Sequence, residues 1–337
     1  MNMKNMKKKI FLAALCVVAM TALMFMSCDK DNGKDSGDNN DEGLIVVGFS
    51  QVGAESDWRV ANTRSMKNVF SKENGYKLIL EDAQQKPENQ ITAIEKFIEQ
   101  KVDYIVFAPK IEEGWDNVLK KAKAAGIPVI IVDRMIKTSD ESLYTCFVGS
   151  DFRKEGDIAV AWLETMFKDK PDLKIVHLKG DIGSSAQIGR TEGLLAGVER
   201  NSGWEIIYSE TGEFNELKGK ERMEYVLKQY DEIDVLYCEN DNMAFGAIKA
   251  MDTAKKTYGV NGDVTVISFD ATKLGLEATL GGKINYNVEC NPLHGPRVEA
   301  IIKQLKNGET PDKRVYVEEA AFDAAVITQE DIDAREY

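Results

Sequence analysis

Residues 44–64 read LIVVGFSQVGAESDWRVANTR, and this stretch decides the fold. Leu44 to Phe49 is an unbroken apolar, β-branched run of the length of a buried parallel strand. Beyond a polar loop, Val60, Thr63, Met66, Val69 and Phe70 recur at the spacing of one helical face. Ser56 or Asp57 suits the cap at the start of that helix, and Gly75 the position just past its end. Between strand and helix lies Glu55-Ser56-Asp57-Trp58-Arg59. In an open α/β sheet, ligands are met at the carboxyl ends of the strands. These five residues offer an aromatic face and charged groups with fixed hydrogen-bond directions, which is what a polyol needs.

Working outward, the same unit repeats. Strands are predicted at 76–80, 104–108, 127–132 and 145–149, with helices over 87–100 and 115–125. A second series follows: strands at 174–178, 205–209, 235–238, 264–269 and 284–289. Its helices are one through Trp162, then 189–198, 218–229, 243–253 and 296–306. Continuous apolar strands alternating with helices imply a parallel sheet covered on both faces. Two such series, with no Pro/Gly/Ser-rich linker between them, suggest two α/β halves, a stiff hinge and a ligand cleft.

The N-terminus belongs to export. Lys4, Lys7, Lys8 and Lys9 precede an apolar run, Ile10 to Met26, too short to span a membrane comfortably. Residues 1–27 read as a signal peptide. Phe25-Met26-Ser27-Cys28 resembles a lipobox, making Cys28 the lipidation site, with a cleaved signal or a retained anchor as the other readings. Residues 29–43, acidic and without apolar side chains, read as a disordered tether. Acidic residues directly after such a cysteine also resemble signals that send some lipoproteins to the cell surface. The formal charge is −13; without the four signal lysines it is −17, which argues against nucleic acid or an anionic membrane as partner. Beyond Cys28 only Cys146, Cys238 and Cys290 remain, an odd number expected as buried thiols.

Candidate site residues stand at the carboxyl ends of the strands. They are Glu55, Ser56, Asp57, Trp58 and Arg59; Asp133-Arg134; Arg190, opening a helix after KIVHLKGDIGSS; Phe214; Asn240, in YCEND; Asp270, ending VISFD; and Glu289, ending INYNVE. Each also has a plain reading. An Asp-Arg pair can be a surface ion pair, Asn-Asp a helix cap and Trp58 a core residue. Their convergence on one edge of two sheets favours a shared polar site. Trp58 and Phe214 could sandwich the C–H faces of a small sugar ring. Arg59, Arg134 and Arg190 set against Glu55, Asp133, Asp270 and Glu289 let charges neutralise one another around a neutral ligand. Arg190, read as a cleft residue, is expected to be dispensable for folding.

The stretches VGFSQVGAESDWR, DAQQKPENQ and IVFAPKIEEGWDNVLKKAKAAGIPVIIVDR resemble the periplasmic sugar-binding proteins of ABC importers. The later IGRTEGLLAG, TGEFNELKGKERME, ENDNMAFGAIKAM and ISFDA do so as well. The first loop is most similar to the galactofuranose-binding branch, in which a glycine stands at the place of Asp57. The resemblance implies a type I periplasmic-binding fold: two doubly wound α/β lobes joined by a multi-strand hinge. Residues 44–150 with 291–316 would form one lobe, and 151–290 with 317–337 the other. It also implies that the candidates above contact a monosaccharide, with Asp57 narrowing the site or adding a hydroxyl contact. The expected protein is a monomeric, lipid-anchored envelope binder that feeds an ABC permease, or reports to a membrane sensor.

No nucleophile elbow, zinc-protease motif, phosphate loop or dinucleotide fingerprint occurs. His177 and His294 lack metal-ligand spacing. Asp82-Ala83-Gln84-Gln85 reads as a turn and cap. The sequence thus describes a binding protein, neither an enzyme nor a DNA-binding repressor, with no metal or cofactor.

Overall fold

The computed structural model describes residues 43–337. The signal segment, Cys28 and all of the tether but Gly43 lie outside the described residues. The first series forms β1 (Ile45–Gln51), β2 (Tyr76–Asp82), β3 (Tyr104–Phe107), β4 (Val129–Val132) and β5 (Cys146–Gly149). The second forms β6 (Leu173–Lys179), β7 (Trp204–Thr211), β8 (Val235–Cys238), β9 (Thr265–Asp270) and β10 (Tyr286–Glu289). Two short strands follow, β11 (Arg314–Tyr316) and β12 (Ala321–Asp323). They pair into two six-stranded sheets, ordered β11-β5-β4-β3-β1-β2 and β12-β10-β9-β8-β6-β7. Every pair is parallel except β10 with β12. In each sheet the strand order reverses beside its first strand, which places a crevice at the carboxyl ends there.

Helices cover both faces of each sheet. They are α1 (Asp57–Val69), α2 (Pro87–Glu99), α3 (Asp116–Ala124), α4 (Phe152–Met166) and α5 (Ser185–Arg200), then α6 (Glu216–Gln229), α7 (Asp241–Ala254), α8 (Lys273–Leu280), α9 (His294–Lys306) and α10 (Gln329–Asp333). On the first sheet, Ile94, Phe97 and Leu119 form one core layer, and Met66, Phe70 and Ile302 the other. On the second, Met223, Met243 and Ala247 pack on one side, and Val160, Leu163 and Leu194 on the other. The chain passes between the sheets three times: between β5 and β6, between β10 and β11, and between β11 and β12.

Local chemistry sets the boundaries. Ser56 caps α1, its Oγ accepting from the Arg59 N–H at 3.2 Å. This helix ends at Val69, not at Gly75, because Ser71 is extended; Gly75, at φ +84°, instead closes a separate 3-10 turn over Lys72–Asn74. α5 begins at Ser185, earlier than expected, because Ser184 caps it. β11, β12, α8 and α10 were not expected: three to eight residues are too few for a periodic pattern to register. Cys146, Cys238 and Cys290 are buried free thiols. His177 is buried in β6 against Glu239 and Ser209, a structural place. Among the described residues no helix is long and apolar enough to cross a membrane.

Candidate functional site

Between the carboxyl edges of the two sheets lies a small cavity. The loop after β1 brings Glu55, Ser56, Trp58 and Arg59 to it, and the loop after β4 brings Asp133 and Arg134. From the second sheet come Arg190 on α5, Phe214 after β7, Asn240 after β8 and Asp270 at the end of β9. Ten of the twelve residues predicted from the strand ends thus line one space, and these come from both sheets.

The polar groups form a braced network. Arg59 Nε donates to Glu55 Oε1 at 3.1 Å, and its Nη1 lies 2.7 Å from Asp133 Oδ2. That second contact is an ion pair misaligned for a hydrogen bond, so both buried atoms keep a free bonding direction. Arg134 Nη1 donates to Asp181 Oδ2 at 3.2 Å, with its guanidinium 5.2 Å from the centre of the Phe214 ring. Arg190 Nε donates to Glu155 Oε2 at 2.6 Å, Nη1 donates to the Glu239 carbonyl, and Nη2 lies 3.5 Å from Asp270 Oδ1. Such braces hold planar donors and acceptors in place before a ligand arrives.

Several of these side chains are aimed by unusual backbone. Asp133, Phe214 and Asp270 have φ of +64°, +55° and +99°, conformations that non-glycine residues adopt at some cost. Phe214 also depends on a glycine: a Cβ on Gly180 would come within 2.0 Å of the ring's Cζ. Asn240 caps α7 through Oδ1, which accepts from the Met243 N–H, while Nδ2 donates to the Phe214 carbonyl. The plain reading of Asn240 as a cap and the site reading therefore both hold.

Three arginines face Glu55, Asp133 and Asp270 in the cavity wall. Burial works against ionising Glu55, yet the Arg59 and Arg134 guanidiniums hold its carboxyl below the usual range. Asp270 goes the other way: burial, with Asp241 and Asp133 nearby, raises it well above the ordinary value despite Arg190. The wall thus combines an ionised acceptor with a carboxyl inclined to hold its proton, suited to hydroxyls that both donate and accept.

Two predicted residues stand elsewhere. Asp57 is exposed and faces Asn242 of α7 instead of the cavity. Glu289 accepts from Arg335 Nη1 and Tyr337 OH at 2.6 Å each, and from the Ala320 N–H, fastening the C-terminal segment. Arg190 belongs to the core as well as to the cavity wall, which goes against its reading as a cleft residue alone: it is only 2 % exposed and pairs with buried Glu155 at 2.6 Å.

Sequence reasoning missed Phe152, Ala186 and Cys290 in the wall, and Asp181 behind Arg134. Phe152 and Cys290 follow β5 and β10 directly, so a fuller inspection of strand ends would have found them. Gln85, read as part of a turn, braces the site: Nε2 donates to Glu55 Oε2 and Oε1 accepts from Lys110 Nζ, both at 2.6 Å. Its φ of +66° is the turn geometry that allows this.

A family model described as a periplasmic binding protein domain matches residues 47–294. The galactofuranose-binding protein of Escherichia coli is 39 % identical over 80 % of this chain and 85 % of its own. A Mycobacterium smegmatis structure in complex with β-D-fucofuranose has a TM-score of 0.80 at 42 % identity, covering 84 % of this chain and 92 % of that one. The binding component of the arabinose ABC transporter of Shewanella sp. ANA-3, bound to α- and β-L-arabinofuranose, has a TM-score of 0.80 at 38 % identity. Coverage there is 86 % of this chain and 95 % of the other.

Proposed function

The chain belongs to the periplasmic binding protein domain family, as a sugar binder and not an enzyme, and on that premise we propose that its ligand is a monosaccharide in furanose form, galactofuranose or a close relative. The observation that carries this reading is the cavity itself. Its wall pairs Trp58 and Phe214, from opposite sheets, with a set of fixed donors and acceptors. Apolar faces suit ring C–H groups, and planar polar groups suit hydroxyls. The furanose ligands of the relatives above support the same choice.

The remaining steps of the reading follow from this. Residues 44–150 with 291–316, and 151–290 with 317–337, act as two lobes that close on the sugar. Ligand touching both lobes favours the closed form by its differential affinity, and an ABC permease reads that form. Cys28 carries a lipid anchor that keeps a monomeric protein at the cell envelope. The test is calorimetric titration with D-galactose, L-arabinose, D-ribose, D-fructose and D-glucose. The outcome expected is saturable binding of a sugar with an accessible furanose form, lost in Arg59→Ala. Absence of heat from every sugar overturns the ligand class.

A further inference from the structure

Asp57 sits inside the loop that supplies four cavity residues, yet it is not one of them. Its backbone N–H donates to Asn242 Oδ1 at 3.1 Å, and its Oδ2 accepts from Asn242 Nδ2 at 3.0 Å. A single residue thus occupies both ends of the Asn242 amide. The partners are 185 positions apart, one at the start of α1 beside the first sheet, the other in the first turn of α7 beside the second. Asn242 is buried, so its amide is held in place. Asp57 is exposed, with its carboxylate against the positive end of α7, where negative charge is favoured.

The opposite rim of the cleft is also joined. Lys110 and Arg134 pair with Asp181, the Glu112 N–H donates to the Gly183 carbonyl, and the Met135 N–H donates to Ser185 Oγ. That rim is entangled with the cavity through Arg134. The Asp57–Asn242 contact is not, since neither residue lines it. It bridges the two halves without touching the space where ligand sits.

We propose that Asp57 and Asn242 form a latch across the mouth of the cleft, which sets how long a bound sugar stays without contacting it. This rests on the reading of the cavity as a sugar site that closes. A charge-assisted hydrogen bond present only in the closed form stabilises that form alone. Its loss shifts the open–closed balance, leaves the sugar's own contacts intact and raises the dissociation rate.

Stopped-flow dissociation of L-arabinose and D-galactose, with interspin distances between labels on Lys67→Cys and Glu277→Cys, tests this in wild type, Asn242→Asp, and Asp57→Asn with Asn242→Asp. Two facing carboxylates in Asn242→Asp should repel, lengthen the interspin distance and speed dissociation about tenfold. Exchanging the pair restores an amide–carboxylate contact, and should recover wild-type distance and rate. Failure of the exchanged pair to recover either, or an Asn242→Asp protein as closed as wild type, overturns the latch. If wild type binds neither sugar while the distances still follow the substitutions, the latch stands and the sugar reading falls.

Discussion

Arg190 lies within the second half's core and also in the cavity wall, so its removal acts twice. Its Nε neutralises Glu155, whose other oxygen, Oε1, is buried with no partner. Arg190→Ala leaves that carboxylate stranded, which costs about 3 kcal/mol or more. Differential scanning calorimetry should show a lower melting temperature for Arg190→Ala, with sugar binding lost in titration. Adding Glu155→Gln should restore much of the melting temperature and none of the binding. Recovery of binding in the double variant would remove Arg190 from the ligand site. The residue's dual place was not legible in the sequence. A helix-opening arginine near a strand end signals a site, but its partner Glu155 is 35 residues away and carries no local mark.

At the scale of elements, the site depends on how each loop turns after its strand. Successive residues at a helix start are rotated by about 100° from one another. This is why Trp58 and Arg59 point into the cavity while Asp57, one position earlier, points to α7. A contiguous motif could not reveal that division. The loop after β6 makes a matching demand, because Gly180 lets the Phe214 ring lie against the backbone. Gly180→Ala should displace that ring and weaken sugar binding at least tenfold, about 1.4 kcal/mol, with a folded protein by circular dichroism. Undiminished affinity in a folded variant would mean that Phe214 does not stack on the ligand.

Over the whole molecule, the three connections between the sheets meet at one carboxylate. Glu319, between β11 and β12, accepts from Ser150 Oγ after β5 at 2.6 Å and from the Asn291 N–H after β10 at 2.7 Å. Burial and neighbouring Glu155 push Glu319 up to about 8, and burial pushes Glu155 up to about 7 against the pull of Arg190. Unfolded, both ionise near 4.5, so between these values the folded protein holds more protons. Their contribution to stability is complete below the unfolded value and is lost as pH rises through 7 to 8. His294 acts oppositely: burial lowers it to about 4 from 6.5, so its contribution is complete above 6.5 and is lost as pH falls through 4. Above about pH 6.5 the contribution of His294 no longer changes, and the two glutamates act together with buried Asp270, which is raised in the same direction. The melting temperature should therefore fall by a few degrees between roughly pH 6.5 and 8.5, and Glu319→Gln should flatten that fall. An identical slope in the variant would show that Glu319 is already ionised at pH 6.5. A bound sugar should raise the melting temperature with its concentration, by about 2.7 kcal/mol of stability at a hundred times Kd; a midpoint indifferent to sugar would argue against binding to the folded state.

The sequence by itself determined the alternation of strand and helix, the two-sheet layout and ten of the cavity residues. Those features rest on local periodicity and on the rule that strand ends face the ligand, and both are written in consecutive residues. It did not determine the short edge strands β11 and β12, whose three residues each are held by neighbours far along the chain. Nor did it separate Asp57 and Glu289 from the cavity, or bring Phe152, Cys290, Asp181 and Gln85 to its side. Those assignments depend on the rotation of a helix start, the left-handed turns at Gln85, Asp133 and Phe214, and the return of the C-terminal segment onto β10. Only the packed arrangement of the two sheets fixes them, because each is a contact between residues that the chain itself keeps apart.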